Sequence, residues 1–572
     1  MNSKPPDPAS DRRPRSLSAR ARAVADDVRR TVPFDARDRP WCVLALLPGV
    51  VAVAVYLATN PYPAYGAGLY AKISAEIVAN GYALPVRIPG YTADGIPFAY
   101  PPLQFYLYAA LLDLGGDPVT VSRVLPSVGF VAALLPVYLL GRDVADSRPA
   151  GTAAVGLVAL NPQLLEWHLS AGGVVRAFGF CYAMVAIYAG YQLFARDGAV
   201  RASSPTSRRG AIGLGGVAFG LTVLTHPVYS LFVVASHLLF WLLSDRSASG
   251  FLSGLAVGLG GALLASPWLA WALTTHGVGV FTAASGTHGG VGGGANALAG
   301  SVSPGIVLAL VPAVYLVIRR EYLLPVWLVL VELLFEQPRF AYTVVAVLVP
   351  TVVVTLLRAR DAEPDWVRRR NLVSPGVDDD GNEVNHDVDD ATGVGMDRRA
   401  AAAAAVILLG TLVGGGYFAY EATLVTDPST PEFLDAESAE AMEWIATETD
   451  PDARFVVIGD AAEWLPALTD RTLLVGHWGV EWVDAETFAR QAAAYESLSR
   501  CQSADCVERT AARVETERPT HVYVPKGQYT IRGEHAAQSG RLERSFERAD
   551  GWRRVYENDG VVIYRAAEGG TT

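Results

Sequence analysis

Lysine is nearly absent from this 572-residue chain: it stands at Lys4, Lys72 and Lys526, and arginine supplies the remaining fixed positive charge. With a net charge of −11 no broad basic surface is left for nucleic acid, and an acidic, arginine-for-lysine composition is the habit of proteins that work in a high-salt cytoplasm and environment. Cysteine is scarce as well. Cys42 and Cys181 lie in apolar blocks and read as core residues, whereas Cys501 and Cys506 lie in a polar tail. A disulfide is open to the latter two if that tail faces an oxidising exterior, and spacing alone does not decide it. No cleavable signal peptide is expected either, because the first forty residues are rich in Arg, Pro and Asp and the first apolar block is long enough to remain as an anchor. There is no internal repeat of the kind that secondary carriers show, and no His or Cys spacing typical of zinc.

What the chain does have is apolar length. Its residues are 51% hydrophobic, too apolar for an ordinary soluble protein of this size. They fall in blocks near the roughly 20 residues needed to cross a bilayer, such as Trp41 to Ala58, Gly254 to Leu273 and Arg339 to Leu357. Pro101 to Leu114 is apolar but short, and reads as an interfacial or re-entrant helix.

Arginine orients these blocks. The N-terminal run through Arg12, Arg20, Arg29 and Arg39 is expected in the cytoplasm, as are the clusters at Arg142 and Arg148, Arg196 to Arg209, Arg246, Arg319 and Arg320, and Arg358 to Arg399. Threading them with alternating spans predicts a polytopic α-helical membrane protein of about eleven transmembrane helices. It has an outer juxtamembrane helical loop and a small α/β extracytoplasmic C-terminal domain. Residues 1–40 form the inner Arg-rich segment, 41–357 the membrane core, 358–399 an acidic inner loop that reads as disordered, 400–420 the last span, and 427–572 the outer domain. In that domain Ala436 to Thr447 reads as a helix, and Arg454 to Ile458, Thr520 to Val524 and Gly560 to Tyr564 read as strands.

This orientation collects polar residues on the outer face: Glu76 and Asp94 in the first loop, Glu166, His168 and Arg176 in the next, then His226, then His276 and His288, then Glu332, Glu336 and Arg339. An ionised group at the bilayer centre costs about 2.5–3.5 kcal/mol, so such residues pair or serve a ligand. Glu332 and Glu336, at helical spacing, would meet a cation such as Arg339 in a structural ion pair. Glu76 would pair with Lys72 one turn away. His226 before Pro227 marks a helix junction or a ligand, and Asp94 before Gly95 is either a turn or a base. Arg176, flanked by Val175 and Ala177, calls for a phosphate or a buried carboxylate.

The run Tyr70 to Pro85, containing Asn80-Gly81-Tyr82, followed by Ile96-Pro-Phe-Ala-Tyr100-Pro-Pro-Leu103, resembles the glycosyltransferase C superfamily. So do Thr225-His-Pro-Val-Tyr229, Ser266-Pro-Trp268 and the tail runs Ala441 to Ile445 and Arg454 to Ile458. The resemblance covers most of the chain through short motifs. It implies transfer of a sugar from a polyprenyl phosphate carrier of dolichyl type to a cell-surface glycan, lipid or protein acceptor, as in protein mannosyltransferases, aminoarabinose transferases and oligosaccharyltransferases. On that reading Asp94, Glu76 and Glu166 are the candidate catalytic carboxylates, and Arg176 and Arg339 bind the donor phosphate. His168, His226, Tyr100 and Glu336 touch substrate, and room is left for a divalent metal that nothing in the sequence fixes. One departure stands out. Many members of the group carry an aspartate at the start of the juxtamembrane helix, about ten residues before the Glu76 position, and here that stretch, Pro63-Ala-Tyr-Gly-Ala-Gly-Leu69, holds no acid. A catalytically silent relative that binds a glycan or partner, or a lipid or solute carrier, therefore stands as the alternative.

Overall fold

The computed structural model describes residues 34–195, 205–279, 304–361, 431–514 and 517–567. The expected last span at 400–420, the acidic loop before it and His288 lie outside these residues.

Among the described residues six helices are long and apolar enough to cross a membrane: Asp38–Thr59, Pro118–Ala145, Gly173–Phe194, Pro227–Asp245, Ala248–His276 and Pro338–Arg358. Leu323–Leu334 is a shorter apolar helix. Their starts are written locally. Asp117 accepts the Thr120 N–H at 2.7 Å with Pro118 in the first turn, and Asn161 accepts the Leu164 N–H at 3.2 Å with Pro162 following. In each case the side chain satisfies an amide the helix leaves open, where proline has none to lose. As expected, Leu103–Asp113 is too short to span.

Two cores result. The first lies among the long helices and includes Phe130, Tyr138, Phe180, Phe232 and Trp327. At one end of it Asp38, only 1% exposed, meets Arg142 at 2.9 Å and Arg148 at 2.9 Å, which puts two of the arginines used to orient the chain at a single end. The second core joins the first loop, the beginning of Gly173–Phe194 and the C-terminal domain.

That domain is α/β, as its sequence suggests. With β1 (Arg87–Ile88) and β2 (Ile96–Pro97) paired in the first loop, and β6 (Gln528–Ile531) and β7 (Glu534–Ala537) paired by themselves, strands β3 (Arg454–Val457), β4 (Thr472–Leu473), β5 (His521–Pro525), β8 (Trp552–Glu557) and β9 (Val561–Ala566) form one sheet in the order β4-β3-β5-β9-β8. β3 runs parallel to β4 and β5, while β9 is antiparallel to β5 and β8. Central β5 is buried at every position. Helix Ala436–Glu448 packs against β9. Cys501 and Cys506 are joined by a disulfide.

The domain docks on the first loop rather than standing apart from it. Leu473 N–H donates to the Gly90 carbonyl at 2.8 Å, Tyr91 Oη donates to the Glu463 carbonyl at 2.6 Å, and Lys72 bridges Glu76 at 2.8 Å and Asp470 at 2.6 Å. A Cβ at Gly68 would overlap the Glu463 backbone, so only glycine permits this approach.

Candidate functional site

The two arginines singled out in the sequence converge on a residue that was not. Trp167, on helix Pro162–Leu169, carries the Arg176 guanidinium 4.9 Å from its ring centre and the Arg339 guanidinium at 5.6 Å. Arg176 extends from the first turn of Gly173–Phe194 and lies over Gly172, where any Cβ would overlap it. Arg339 comes from the first turn of Pro338–Asp361, is 5% exposed, stacks 5.2 Å from the Phe340 ring and donates to Gln337 at 2.6 Å. Its Nε has no hydrogen-bond partner. Cation–π contact with the indole tolerates the two like charges side by side, but no carboxylate pairs with either arginine among the described residues.

Aromatic and imidazole groups surround them. Tyr65 stacks on Trp167 at 6.1 Å and donates its hydroxyl to Glu166 at 2.7 Å. Its φ of 59° is left-handed, a strained setting for a non-glycine residue that fixes where the ring points. His168 is fully buried, bonded to the Leu164 carbonyl and, at 2.6 Å, to the Tyr229 hydroxyl. His226, at the junction before Pro227, packs edge-on to Tyr229 and Tyr100, and its buried Nδ1 has no partner. Tyr100 leans on Trp482 of the C-terminal domain, 6.0 Å away. Burial pushes the Tyr100 phenol up, Glu481 adds to this, and Arg176 and Arg339 oppose it. Tyr70 senses Arg176 as well as Glu463 and Glu481. The two tyrosines thus lie between a cationic pole in the helix bundle and a carboxyl pole in the C-terminal domain.

Of the residues expected at a site, the structure gathers Arg176, Arg339, Glu166, His168, His226 and Tyr100. Asp94 is exposed in the turn between β1 (Arg87–Ile88) and β2 (Ile96–Pro97), where its carbonyl accepts from Arg87. Glu76 is committed to Lys72, as its spacing predicts. Glu336 is exposed, and the expected ion pair of Arg339 with Glu332 or Glu336 does not form, because the guanidinium turns inward onto rings. The Asn80-Gly81-Tyr82 motif is a turn: Gly81 and Tyr82 both have positive φ, and Tyr82 Oη donates to Asp113 at 3.0 Å. Sequence reasoning missed Trp167, Tyr65, Glu463 and Glu481. Trp167, next to the polar Glu166 and His168, was the available signal. Among the described residues no group of three or more His, Cys, Asp or Glu side chains could hold a metal ion.

Neither protein-family models nor curated protein sequences match the chain. Solved structures do. Over 92% of its length the chain superposes on the arabinofuranosyltransferase AftD from Mycobacteria, with TM-score 0.56 and 16% identity, and it spans 40% of AftD's length. It also superposes on 98% of ArnT from Cupriavidus metallidurans, over 91% of this chain with undecaprenyl phosphate bound (TM-score 0.52, 14% identity) and over 92% in the apo state (TM-score 0.53, 14% identity). These neighbours are members of the glycosyltransferase C superfamily. At such identity the likeness concerns the fold.

Proposed function

We propose that this chain, with its glycosyltransferase C fold, is a multi-pass membrane glycosyltransferase. It moves a sugar from a polyprenyl phosphate of dolichyl type to a glycan, lipid or protein acceptor at the outer membrane face. The observation that carries this reading is the pair of guanidiniums on Trp167, buried or half-buried and without a carboxylate among the described residues. Two arginine forks beside an unpartnered imidazole nitrogen suit a phosphate. The undecaprenyl phosphate held by ArnT in the same fold supports the same class of ligand here.

In this reading the lipid tail lies between helices and the phosphate docks between Arg176 and Arg339. Their charge stabilises the phosphate as it leaves the sugar, in a dry setting where that stabilisation is strong. His226 and Tyr229 line the approach, and the sugar projects past Tyr100 toward the C-terminal domain. A single displacement inverts the anomeric centre. The orientation that goes with it has about eleven spans, the N-terminal segment in the cytoplasm and residues 427–572 outside.

The test is transfer of labelled sugar from polyprenyl phosphate in membranes, comparing wild type with Arg176→Ala, Glu166→Gln and Asp94→Asn. Loss of one charge-assisted phosphate contact lowers transfer roughly 10-fold or more, whereas exposed Asp94 is dispensable. Wild-type transfer by Arg176→Ala would remove the reading.

A further inference from the structure

The first loop has no acid of its own at Pro63 to Leu69, yet a carboxylate is there. Glu463, at the end of the 3₁₀ turn Asp460–Glu463, inserts its side chain against Gly66, where a Cβ would overlap Oε2. It is 6% exposed, and the Leu69 amide at the start of helix Gly68–Ala79 is directed at its carboxyl. Gly66 adjoins Tyr65, whose ring lies on the indole that carries both guanidiniums. Glu481, 8% exposed on the 3₁₀ turn Val480–Trp482, is close enough to act electrostatically on Glu463, and both act on Tyr70. The independent sign of a ligand is on the opposite side: Arg339 Nε and His226 Nδ1, in residues 5% and 8% exposed, have no partner.

We propose that Glu463 is the general base of the site, a carboxylate supplied by the C-terminal domain to the place where the first loop lacks one. The inference rests on the transferase reading given above. The acceptor hydroxyl oxygen bonds to the anomeric carbon. The bond from that carbon to the phosphate oxygen breaks, its electron pair leaves on the lipid phosphate between Arg176 and Arg339, and the hydroxyl proton passes to Glu463. Glu481 is a positioning residue that tunes its neighbour.

The surroundings fit this task. Burial pushes the Glu463 carboxyl up to about 8, with Asp460 and Glu481 adding to the shift, and burial pushes Glu481 up to about 7. The groups facing Glu463 are Asp460 on its own turn, Glu481, Tyr70 with the Leu69 amide, and Tyr91, whose phenol also senses it. A base whose affinity for protons is near the working pH is effective in proton transfer. Transfer therefore rises with pH toward a plateau above about 8, and Glu481→Gln moves the midpoint lower by removing a like charge.

The experiment uses the full chain in membrane vesicles whose lipid-linked sugars carry label. It counts label leaving the lipid fraction across pH, beside binding of undecaprenyl phosphate to the purified protein. Glu463→Gln keeps the shape of the protonated carboxyl, so it is expected to bind undecaprenyl phosphate as wild type does while transfer falls roughly 100-fold or more. Glu463→Asp restores part of the rate. Wild-type transfer and pH profile in Glu463→Gln, with Arg176→Ala/Arg339→Ala inactive, overturns this assignment and leaves the transferase reading standing. Loss of lipid binding in Glu463→Gln makes the residue structural and also overturns it. An Arg176→Ala/Arg339→Ala protein that binds and transfers as wild type, or a wild type that transfers nothing, overturns the transferase reading and this inference with it.

Discussion

Replacing Arg339 with methionine separates a ligand-binding arginine from a structural one by sign. Arg339 is 5% exposed and has no carboxylate among the described residues. Its two ring contacts, at 5.6 and 5.2 Å, return roughly 0.5–2 kcal/mol, and its bonds to Gln337 and to the Tyr229 hydroxyl add about 1 kcal/mol each. Burying an uncompensated ion costs several kcal/mol, so the balance in the empty protein is unfavourable. Methionine matches the length of the stem and packs on rings. The Arg339→Met protein is therefore expected to be more stable by about 1–2 kcal/mol, read as a higher melting temperature in detergent without lipid. The same change removes a charge-assisted contact worth about 1.5–3 kcal/mol, which weakens undecaprenyl phosphate binding roughly 10- to 150-fold. The added lipid should then raise the wild-type melting temperature above that of the variant. A methionine variant that melts lower and binds the lipid as tightly as wild type would refute the reasoning.

Gly172→Ala places a Cβ where the Arg176 guanidinium lies, so the guanidinium must swing aside, and lipid phosphate binding should weaken by less than it does in Arg176→Ala, with the melting temperature little changed. Gly68→Ala meets the backbone of Glu463, which cannot step aside; the C-terminal domain should undock from the first loop, and the loop near residue 66 should become sensitive to limited proteolysis. Reducing the Cys501–Cys506 disulfide should cost about 2 kcal/mol for so short a loop, seen as a lower melting temperature in reductant that Cys501→Ser/Cys506→Ser reproduces. Glu463 and Glu481 hold protons more tightly folded than unfolded, their carboxyls being raised from 4.5 to about 8 and about 7 by burial. Their contribution to stability is full below pH 4.5 and is lost as the pH climbs through about 7 and 8. Glu463→Gln should flatten that fall, and an unchanged melting profile against pH would count against the buried setting of Glu463.

Much of the site was legible because local rules govern it. Arg176 in an apolar run is costly unless something answers its charge, so it stands out as a candidate without coordinates. Glu76 and Lys72 pair because one helical turn brings them together. Asp94 was ambiguous for the same local reason, since an Asp-Gly turn and a loop base look alike in one dimension, and the structure places it exposed in the turn. Glu336 and Arg339 misled because proximity in sequence at a helix start says nothing of which way a guanidinium turns. Trp167 was passed over because an indole near a helix end is ordinary until two cations are found on its face.

By itself the sequence determined the class of protein. Apolar block lengths set by bilayer thickness, proline and capping residues at helix starts, and alternating strands in the tail are properties of short windows, and the helices and strands follow them. Tertiary structure decided what stands opposite what. Helices more than a hundred residues apart put Arg176 and Arg339 on one ring, and glycines at 66 and 68 let a turn nearly four hundred residues later bring a carboxylate against the first loop at Gly66. No window of sequence contains that contact, because it depends on the packing of two cores and on the absence of a side chain where the acid comes to rest.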